Sequence, residues 1–202
     1  MSKMNRFGLG LVALAIFQTF FLGWMIAGRV SLLSSATVVR LATEPVDPRD
    51  IFRGDYVTLN YEISRLKVAE LGAPDDLASG DKVFVTLAPT NEIWQAVALS
   101  RTRPDAIQGK AIIRGRIIYV DRSAPPAGPN GNKSQQPCPR CGEATIHYGI
   151  ESYFVPEGTG HDLEAARNER RIMVDVAISD DGEAAIKSLN LDGRPLYTEP
   201  LF

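Results

Sequence analysis

The sequence contains few of the residues on which enzyme chemistry and nucleic-acid binding most often depend. Its 202 residues include only two Cys and two His, which leaves little material for a thiol or metal centre. The 22 basic residues do not outnumber the 24 acidic ones, whereas nucleic-acid-binding proteins of this size usually carry a clear basic excess. We therefore expect no nucleic-acid partner and no cofactor. The sequence also holds no complete catalytic constellation, which favours a protein that is not an enzyme.

The overall composition is that of a folded protein. Hydrophobic residues make up 45% of the chain and charged residues 23%, both ordinary values for globular domains. These proportions exclude a disordered tail, a collagen-like repeat and a small protein held together by disulfides.

A long apolar segment lies near the N-terminus. Residues 7–28 contain no charged side chain, and Gln18 and Thr19 are the only appreciably polar members. A helix over this segment would span roughly 33 Å, close to the hydrocarbon thickness of a bilayer at about 30 Å. We therefore predict a single transmembrane anchor over residues 7–28, in contact with membrane lipid.

The charges around this segment predict its orientation. Lys3 and Arg6 precede it, whereas the chain after Gly28 is net acidic. The positive-inside rule then places residues 1–6 in the cytoplasm and the remainder outside it. A cleaved signal peptide is the alternative, but the apolar region of a signal peptide is usually only about 7–15 residues long. The length favours a retained anchor.

Short strands separated by turns dominate the pattern after a short linker at residues 29–36. Apolar and polar residues alternate over residues 56–63, as in a strand with one buried face. We predict strands at residues 37–42, 56–63, 82–87, 93–100, 111–120, 145–155, 171–178, 184–189 and 196–197. Residues 82–87 and 93–100 are predicted to form a hairpin. Hairpin-type turns are also predicted at Asp180-Asp181-Gly182 and Leu191-Asp192-Gly193. Gly115 is predicted to mark a bulge.

Two further segments complete the predicted domain. Residues 161–170 have helical composition, and the mixed charges of residues 167–171 predict a solvated helix end. The Pro- and Gly-rich residues 123–137 predict a loop. Together these patterns predict an α+β, predominantly β, protein. A single transmembrane helix is followed by one exported β-rich domain over residues 37–202, built as a partly closed barrel or a sandwich.

The densest polar stretch precedes the second predicted strand. Gly54 can adopt a left-handed conformation there, and Asp55 can accept backbone hydrogen bonds or pair with an arginine. Leu59 and Tyr61 share one face of the strand and are expected to be buried. The stretch therefore builds a turn and strand entry, or it forms a binding surface. A cation site is a third alternative, but the carboxylates lack the spacing of a calcium loop. The residues of the candidate binding surface, called the motif surface below, are Arg49, Arg53, Gly54, Asp55, Tyr56, Leu59 and Tyr61.

This stretch resembles a known family. Residues 54–61 read GDYVTLNY and fit the pattern G-D-Y-x-x-L-x-Y, which is the signature of the GDYXXLXY family of membrane-anchored proteins. Residues 45–50 and 148–160 are also similar to that family. The resemblance implies a bacterial inner-membrane protein with a periplasmic domain, and an integral membrane protein encoded nearby as its partner. It implies no particular chemistry.

A C-x-x-C pair, Cys138 and Cys141, lies beside the Pro- and Gly-rich loop. A local disulfide, a zinc site completed by His147 and His161, and a redox-active pair are the three interpretations. The spacing of the two His residues matches no common zinc site. Both His are otherwise expected to be polar surface or capping residues.

Three functional hypotheses follow. The first is a non-enzymatic accessory or binding subunit of a membrane protein, with residues 54–61 and 148–160 as paired elements of one surface. The second is an envelope thiol or zinc protein that uses the C-x-x-C pair. The third is a peptide-binding domain resembling a membrane-anchored signal peptidase without its catalysis, because the serine position falls at Val46 and the nearest upstream serine is Ser35.

Overall fold

The computed structural model describes residues 6–35, 37–45, 56–74, 76–122, 142–154 and 160–199. Two α-helices and twelve strands lie within these ranges. The helices are α1 (Arg6–Leu33) and α2 (Gly160–Asn168), and the strands are β1 (Thr37–Glu44), β2 (Tyr56–Thr58), β3 (Asn60–Tyr61), β4 (Arg65–Lys67), β5 (Lys82–Thr90), β6 (Ile93–Ser100), β7 (Ala111–Asp121), β8 (Glu143–His147), β9 (Ser152–Phe154), β10 (Ile172–Ile178), β11 (Ala184–Leu191) and β12 (Arg194–Thr198). Short 3-10 turns at Glu62–Ser64 and Val68–Leu71 flank β4.

The N-terminal apolar segment forms one continuous helix. Its stretch Gly8–Leu33, 26 residues with a mean hydropathy of 2.0, is the one helix among the described residues that is long and apolar enough to cross a membrane. The same pattern is typical of a membrane anchor or of a signal sequence. Helix α1 continues five residues beyond the predicted anchor of 7–28, so most of segment 29–36 is helical.

The end of α1 packs against the β domain. Leu33 is only 2% exposed, and the last part of the helix contacts β10 and β11. Two residues later, the Ser35 hydroxyl donates a hydrogen bond to the Ile178 carbonyl at the end of β10. These contacts are called the junction below. They hold the end of the helix against the β10–β11 side of the sheet.

The strands form two five-stranded sheets and one two-stranded ladder. The orders are β12-β11-β10-β1-β3 and β4-β8-β7-β5-β6, and β2 pairs with β9. The amide of Arg114 in β7 donates a 2.7 Å hydrogen bond to the carbonyl of Gly182, in the turn between β10 and β11, and so links the two large sheets. The result is a nearly closed barrel with its apolar core inside, which confirms the predicted α+β, predominantly β, fold class.

Two predicted turns are present where the sequence indicates them. Strands β5 and β6 form the predicted hairpin, in antiparallel register from Phe84 opposite Ser100 to Thr90 opposite Ile93. At the β11–β12 turn, Asp192 and Gly193 have φ values of 50° and 79°. A two-residue turn with both φ values positive matches the twist of the strands it joins, and Asp-Gly is a favoured pair for it.

The strand predicted over residues 145–155 is wrong as one element. Strand β8 ends at His147 and β9 begins at Ser152, because a turn intervenes in which Gly149 has a φ of 82°. The Glu151 carboxylate accepts hydrogen bonds from the amides of Tyr148, at 2.5 Å, and Gly149, at 2.9 Å. A side chain thus satisfies backbone groups that a continuous ladder would otherwise pair.

Gly115 does not mark a bulge. It lies in regular register opposite Val83, and the register shift of β7 falls further on, between Ile117 and Tyr119. The missing side chain of Gly115 instead allows Ile146 and Tyr148 to pack closely against the strand. A Cβ atom at this position would overlap Ile146 Cγ2 and approach the Tyr148 ring to 3.0 Å.

A polar network crosses three neighbouring strands of the first sheet. The Arg40 guanidinium in β1 donates two hydrogen bonds to the Asp175 carboxylate in β10, at 2.7 and 3.1 Å. Ser188 and Asn190 in β11 donate to the same carboxylate at 3.2 and 2.9 Å. Burial alone raises the pKa of Asp175, but the hydrogen bonds and the Arg40 charge outweigh it and hold that pKa below its ordinary value.

Candidate functional site

The two sequence segments that carry the family pattern lie side by side. Strands β2 and β9 pair antiparallel, with Tyr56 opposite Phe154 and Thr58 opposite Ser152. The ladder continues through a 2.8 Å hydrogen bond from the Leu59 amide to the Glu151 carbonyl. The predicted pairing of residues 54–61 with 148–160 is therefore confirmed for the described part of both segments.

Two buried tyrosines join these segments reciprocally. The Tyr61 hydroxyl donates to the Ile150 carbonyl at 2.6 Å, and the Tyr148 hydroxyl donates to the Ile63 carbonyl at 2.7 Å. Burial, and secondarily the negative charge of Glu151, raise the pKa of both phenols well above the ordinary value. Both hydroxyls therefore act as neutral donors to backbone carbonyls, and the tyrosines are called the tyrosine pair below.

The alternation predicted over residues 56–63 is confirmed, but the predicted strand is divided: β2 and β3 are separated at Leu59, and Glu62–Ser64 forms a 3-10 turn. Residues 56–61 are called the motif strand below. Val57, Leu59 and Tyr61 are at most 1% exposed and point into the core, as predicted for Leu59 and Tyr61. Thr58 and Asn60 are half-buried on the opposite side. Leu59 and Tyr61 are therefore core residues, and their side chains do not reach solvent.

Helix α2 supports this strand with a buried arginine. Arg167 is 2% exposed, and its Nη1 donates a 2.5 Å hydrogen bond to the Thr58 carbonyl. Its Nε and Nη2 donate to the Asn168 side-chain oxygen at 3.2 and 3.1 Å. The sequence interpretation of residues 167–171 as a solvated helix end is wrong for Arg167, although the residues after it are exposed.

The burial of Arg167 has a signal in the sequence. Leu163 and Ala166 are buried on the same helix, at 3% and 7% exposure, and residues three or four positions apart share a helix face. Arg167 follows Leu163 by four positions and therefore lies on the buried face. The mixed charges of residues 167–171 do not by themselves indicate that Arg167 is buried; its spacing from Leu163 along the helix does.

One large aromatic side chain projects outward from the paired strands. Phe154 is 80% exposed, whereas its neighbour Tyr153 is 7% exposed and stacks obliquely near Tyr197, with ring centroids 6.4 Å apart. Successive strand residues point to opposite sides, so Ser152 lies on the outer face together with Phe154. This outer face is accessible to another molecule.

A shallow cleft of about 250 Å³ lies next to the motif strand, between β4 with its flanking 3-10 turns and β6. Lys67 and Glu70 on its rim form an exposed ion pair at 3.1 Å, and exposed pairs of this kind contribute little to binding or stability. The titratable side chains that line the cleft are all exposed: Glu62, Arg65, Lys67 and Glu70.

Several predicted site residues lie outside the described residues. Arg49, Arg53, Gly54, Asp55, Cys138 and Cys141 are in this group. Only the backbone of Tyr56, in β2, and of His161, in α2, is described. The disulfide, zinc and redox predictions therefore stay predictions.

The described residues offer little for metal binding. His147 is exposed on β8, as expected of a polar surface residue. Within the described ranges, no three His, Cys, Asp or Glu side chains come together in a way that could hold a metal ion.

The hydroxyl of Ser35, the nearest serine upstream of the position expected in a signal peptidase, is used at the junction. It donates to the Ile178 carbonyl, where it joins the helix end to the sheet.

The comparison with protein families agrees with this geometry. The sequence matches the GDYXXLXY protein family over residues 18–189, which includes the second half of α1, the motif strand, the tyrosine pair and α2. The chain therefore belongs to the GDYXXLXY family, as its residues 54–61 predict. No curated protein and no solved structure matches it.

Proposed function

We propose that this protein is a non-enzymatic accessory subunit, anchored once in the bacterial inner membrane, whose periplasmic domain binds an integral membrane protein through the motif surface. The N-terminus is cytoplasmic in this proposal. Helix α1 has the length for one crossing, and the basic residues before it favour that orientation.

The tyrosine pair is the observation that carries the proposal. Tyr61 and Tyr148 each donate a hydrogen bond to a backbone carbonyl of the opposite segment. These bonds hold the described part of the family motif in a stable edge. Both hydroxyls are committed as donors to these carbonyls, and burial raises the pKa of both phenols well above the ordinary value. A rigid edge with outward-facing positions supports recognition of another surface.

The anchor supports a membrane partner. A protein confined to the membrane plane meets another membrane protein at a much higher effective concentration than a free domain would. A modest surface around β2 and β9 is then sufficient for association.

Crosslinking in native membranes, followed by purification in mild detergent, tests this proposal. The full-length tagged protein is compared with Asp55→Ala, Tyr56→Ala and Cys138→Ser, and with Tyr119→Ala as a control at a 60% exposed residue on β7. We expect one membrane protein to be recovered with the wild type, the control and Cys138→Ser, and lost with both motif variants.

Recovery that is unchanged in both motif variants while they stay folded contradicts the proposal. A mixed disulfide that disappears with Cys138→Ser favours the thiol hypothesis instead.

The orientation is tested separately. Intact mass of the membrane-bound protein distinguishes a retained anchor from a cleaved signal peptide. Protease added to spheroplasts is expected to digest the C-terminal domain and to leave an N-terminal tag protected. A protected domain would contradict the proposed orientation.

A further inference from the structure

Two polar side chains interrupt the apolar surface of α1, and they differ in how they are satisfied. The Thr19 hydroxyl donates a 2.9 Å hydrogen bond to the Ala15 carbonyl of its own helix. The Gln18 amide is exposed and forms no hydrogen bond with any residue in the described part of the chain. Unlike Thr19, Gln18 therefore has donors and an acceptor available for another molecule.

The position of Gln18 makes an unsatisfied amide costly. Gln18 lies near the middle of the predicted anchor of residues 7–28, about 15 Å from either end. Residues 9–29 are all exposed, so the β domain does not cover the amide. The hydrocarbon core of a membrane offers no water to bond it. Association with a second helix that supplies a complementary polar group is therefore favoured.

Apolar residues flank Gln18 at alternating intervals of four and three positions. This spacing is typical of the face along which two helices pack, and a polar residue within such a face sets their register. With about 3.6 residues per turn, these positions fall within about 60° of Gln18. The face, called the seam below, consists of Leu11, Ala15, Gln18, Leu22 and Met25.

The surroundings of the seam agree with this interpretation. The rings of Phe20 and Trp24, with centroids 6.1 Å apart, belong to positions on the other side of the helix. Arg29 continues the spacing beyond the predicted anchor, where a long basic side chain can extend to lipid headgroups. The apolar seam is therefore free of bulky aromatic rings and of charge within the predicted anchor.

A second copy of this chain is the occupant that fits the seam. Two copies inserted in the same direction carry Gln18 at the same depth. A primary amide both donates and accepts hydrogen bonds, so two Gln18 side chains can satisfy each other. The apolar positions likewise face their own equivalents in a parallel pair of identical helices. A helix of another protein would need a polar side chain at the same depth, whereas a second copy supplies one by identity.

We propose that this protein forms a parallel homodimer in the membrane, in which two α1 helices pack along the seam and their Gln18 amides are hydrogen-bonded to each other. This inference rests on the retained anchor of the proposed function. It adds a second copy as the partner of the helix, separately from the membrane protein bound through the motif surface.

Association of the full-length protein in lipid vesicles tests the role of Gln18. Copies with a donor or an acceptor fluorophore on an N-terminal tag are reconstituted in phosphatidylcholine vesicles under reducing conditions, and energy transfer is followed as lipid dilutes the protein. We expect Gln18→Leu to weaken association at least about fivefold, and Gln18→Asn, which keeps an amide, to weaken it less. Thr19→Val is the matched control, because the Thr19 hydroxyl is already satisfied within its own helix. Equal association of the wild type and Gln18→Leu overturns the inference.

Photo-crosslinking in native membranes identifies the occupant of the seam. A photoreactive phenylalanine analogue replaces Leu22 in the seam or Phe20 on the other side, and a differently tagged wild-type copy is expressed with each variant. We expect position 22 to crosslink to α1 of the second copy much more strongly than position 20. Crosslinks from position 22 to a spanning segment of a different protein, without any to the second copy, overturn the inference.

The results separate this inference from the proposed function. Absence of a dimer contradicts only the inference when a membrane protein is still recovered in a motif-dependent manner. A dimer that depends on Gln18 supports the inference even when Asp55→Ala and Tyr56→Ala leave that recovery unchanged, a result that contradicts the proposed function alone. An intact mass showing that α1 is cleaved from the mature protein contradicts both.

Discussion

The hydroxyl of Tyr61 donates a 2.6 Å hydrogen bond to the carbonyl of Ile150, 89 positions further along the chain. Its counterpart from Tyr148 returns to Ile63, directly after the motif strand. Each hydrogen bond supplies a donor to a buried carbonyl that water does not reach. The two bonds close this end of the barrel, which explains in physical terms the position of Tyr in the family motif.

Removal of either hydroxyl is expected to destabilise the fold. Tyr61→Phe and Tyr148→Phe each keep the ring but leave a buried carbonyl without its donor, at a cost of about 1–3 kcal/mol. Tyr119→Phe, at an exposed position, should change the free energy of unfolding by less than about 0.5 kcal/mol. Urea denaturation of the full-length protein in detergent measures all three. Wild-type stability in both buried variants would show that the hydrogen bonds contribute nothing.

Replacement of the buried arginine is expected to loosen α2 from the motif strand. Arg167→Met keeps most of the apolar volume but removes the donor to Thr58, which should lower the free energy of unfolding by about 1–3 kcal/mol. Arg103→Met, at an exposed loop position, is the matched control and should change it little. Faster amide hydrogen exchange in β2 and α2 would accompany the loss. Equal exchange in Arg167→Met and wild type would contradict the support assigned to Arg167.

A methyl group at position 115 is expected to overpack the core. Gly115→Ala forces its Cβ against Ile146 and the Tyr148 ring, and overpacking of this kind typically costs about 1–3 kcal/mol. Ile146→Ala removes the overlapping atom, so the double variant should be more stable than the sum of the two single effects predicts. Thermal unfolding of the four proteins in the cycle gives the coupling. Strict additivity would mean that the strand shifts to accept the methyl group.

Acid is expected to weaken the network around Asp175. Because the pKa of Asp175 is lower in the folded protein than in the unfolded chain, its contribution is complete above the unfolded value of about 3.9. It is lost as the pH falls through the lower folded value. Wild type should therefore lose more stability below about pH 4 than Asp175→Asn, which has no carboxylate to protonate. Denaturation at a series of pH values provides the comparison, and parallel curves would contradict the lowered pKa.

The elements that follow from the sequence are those whose signals are local. The apolar length of α1, the alternation of Val57, Leu59 and Tyr61, and the Asp192-Gly193 turn each depend on neighbouring residues alone. The predicted strand 145–155 is different, because Glu151 folds back onto the amides of Tyr148 and Gly149 and ends the ladder. An alternating sequence pattern does not reveal that the Glu151 side chain competes with strand pairing for these amides.

The supports of the candidate site depend on contacts between distant segments. Arg167 reaches Thr58 across 109 positions, and Gly115 is required by the side chains of Ile146 and Tyr148. Sequence patterns identify the residue types at these positions but not their partners. The helical spacing of Arg167 indicates its burial, whereas its hydrogen bond to Thr58 becomes apparent only in the folded chain.

The order of the strands has a consequence for the synthesis of the chain. The first strand emerges directly after the apolar helix, yet its partner β10 lies far later, since Arg40 and Asp175 are separated by 135 positions. Long-range pairings of this kind form slowly and only after both segments are available. The end of β1 can pair early with β3, but its long edge that faces β10 stays unpaired until most of the protein has been made.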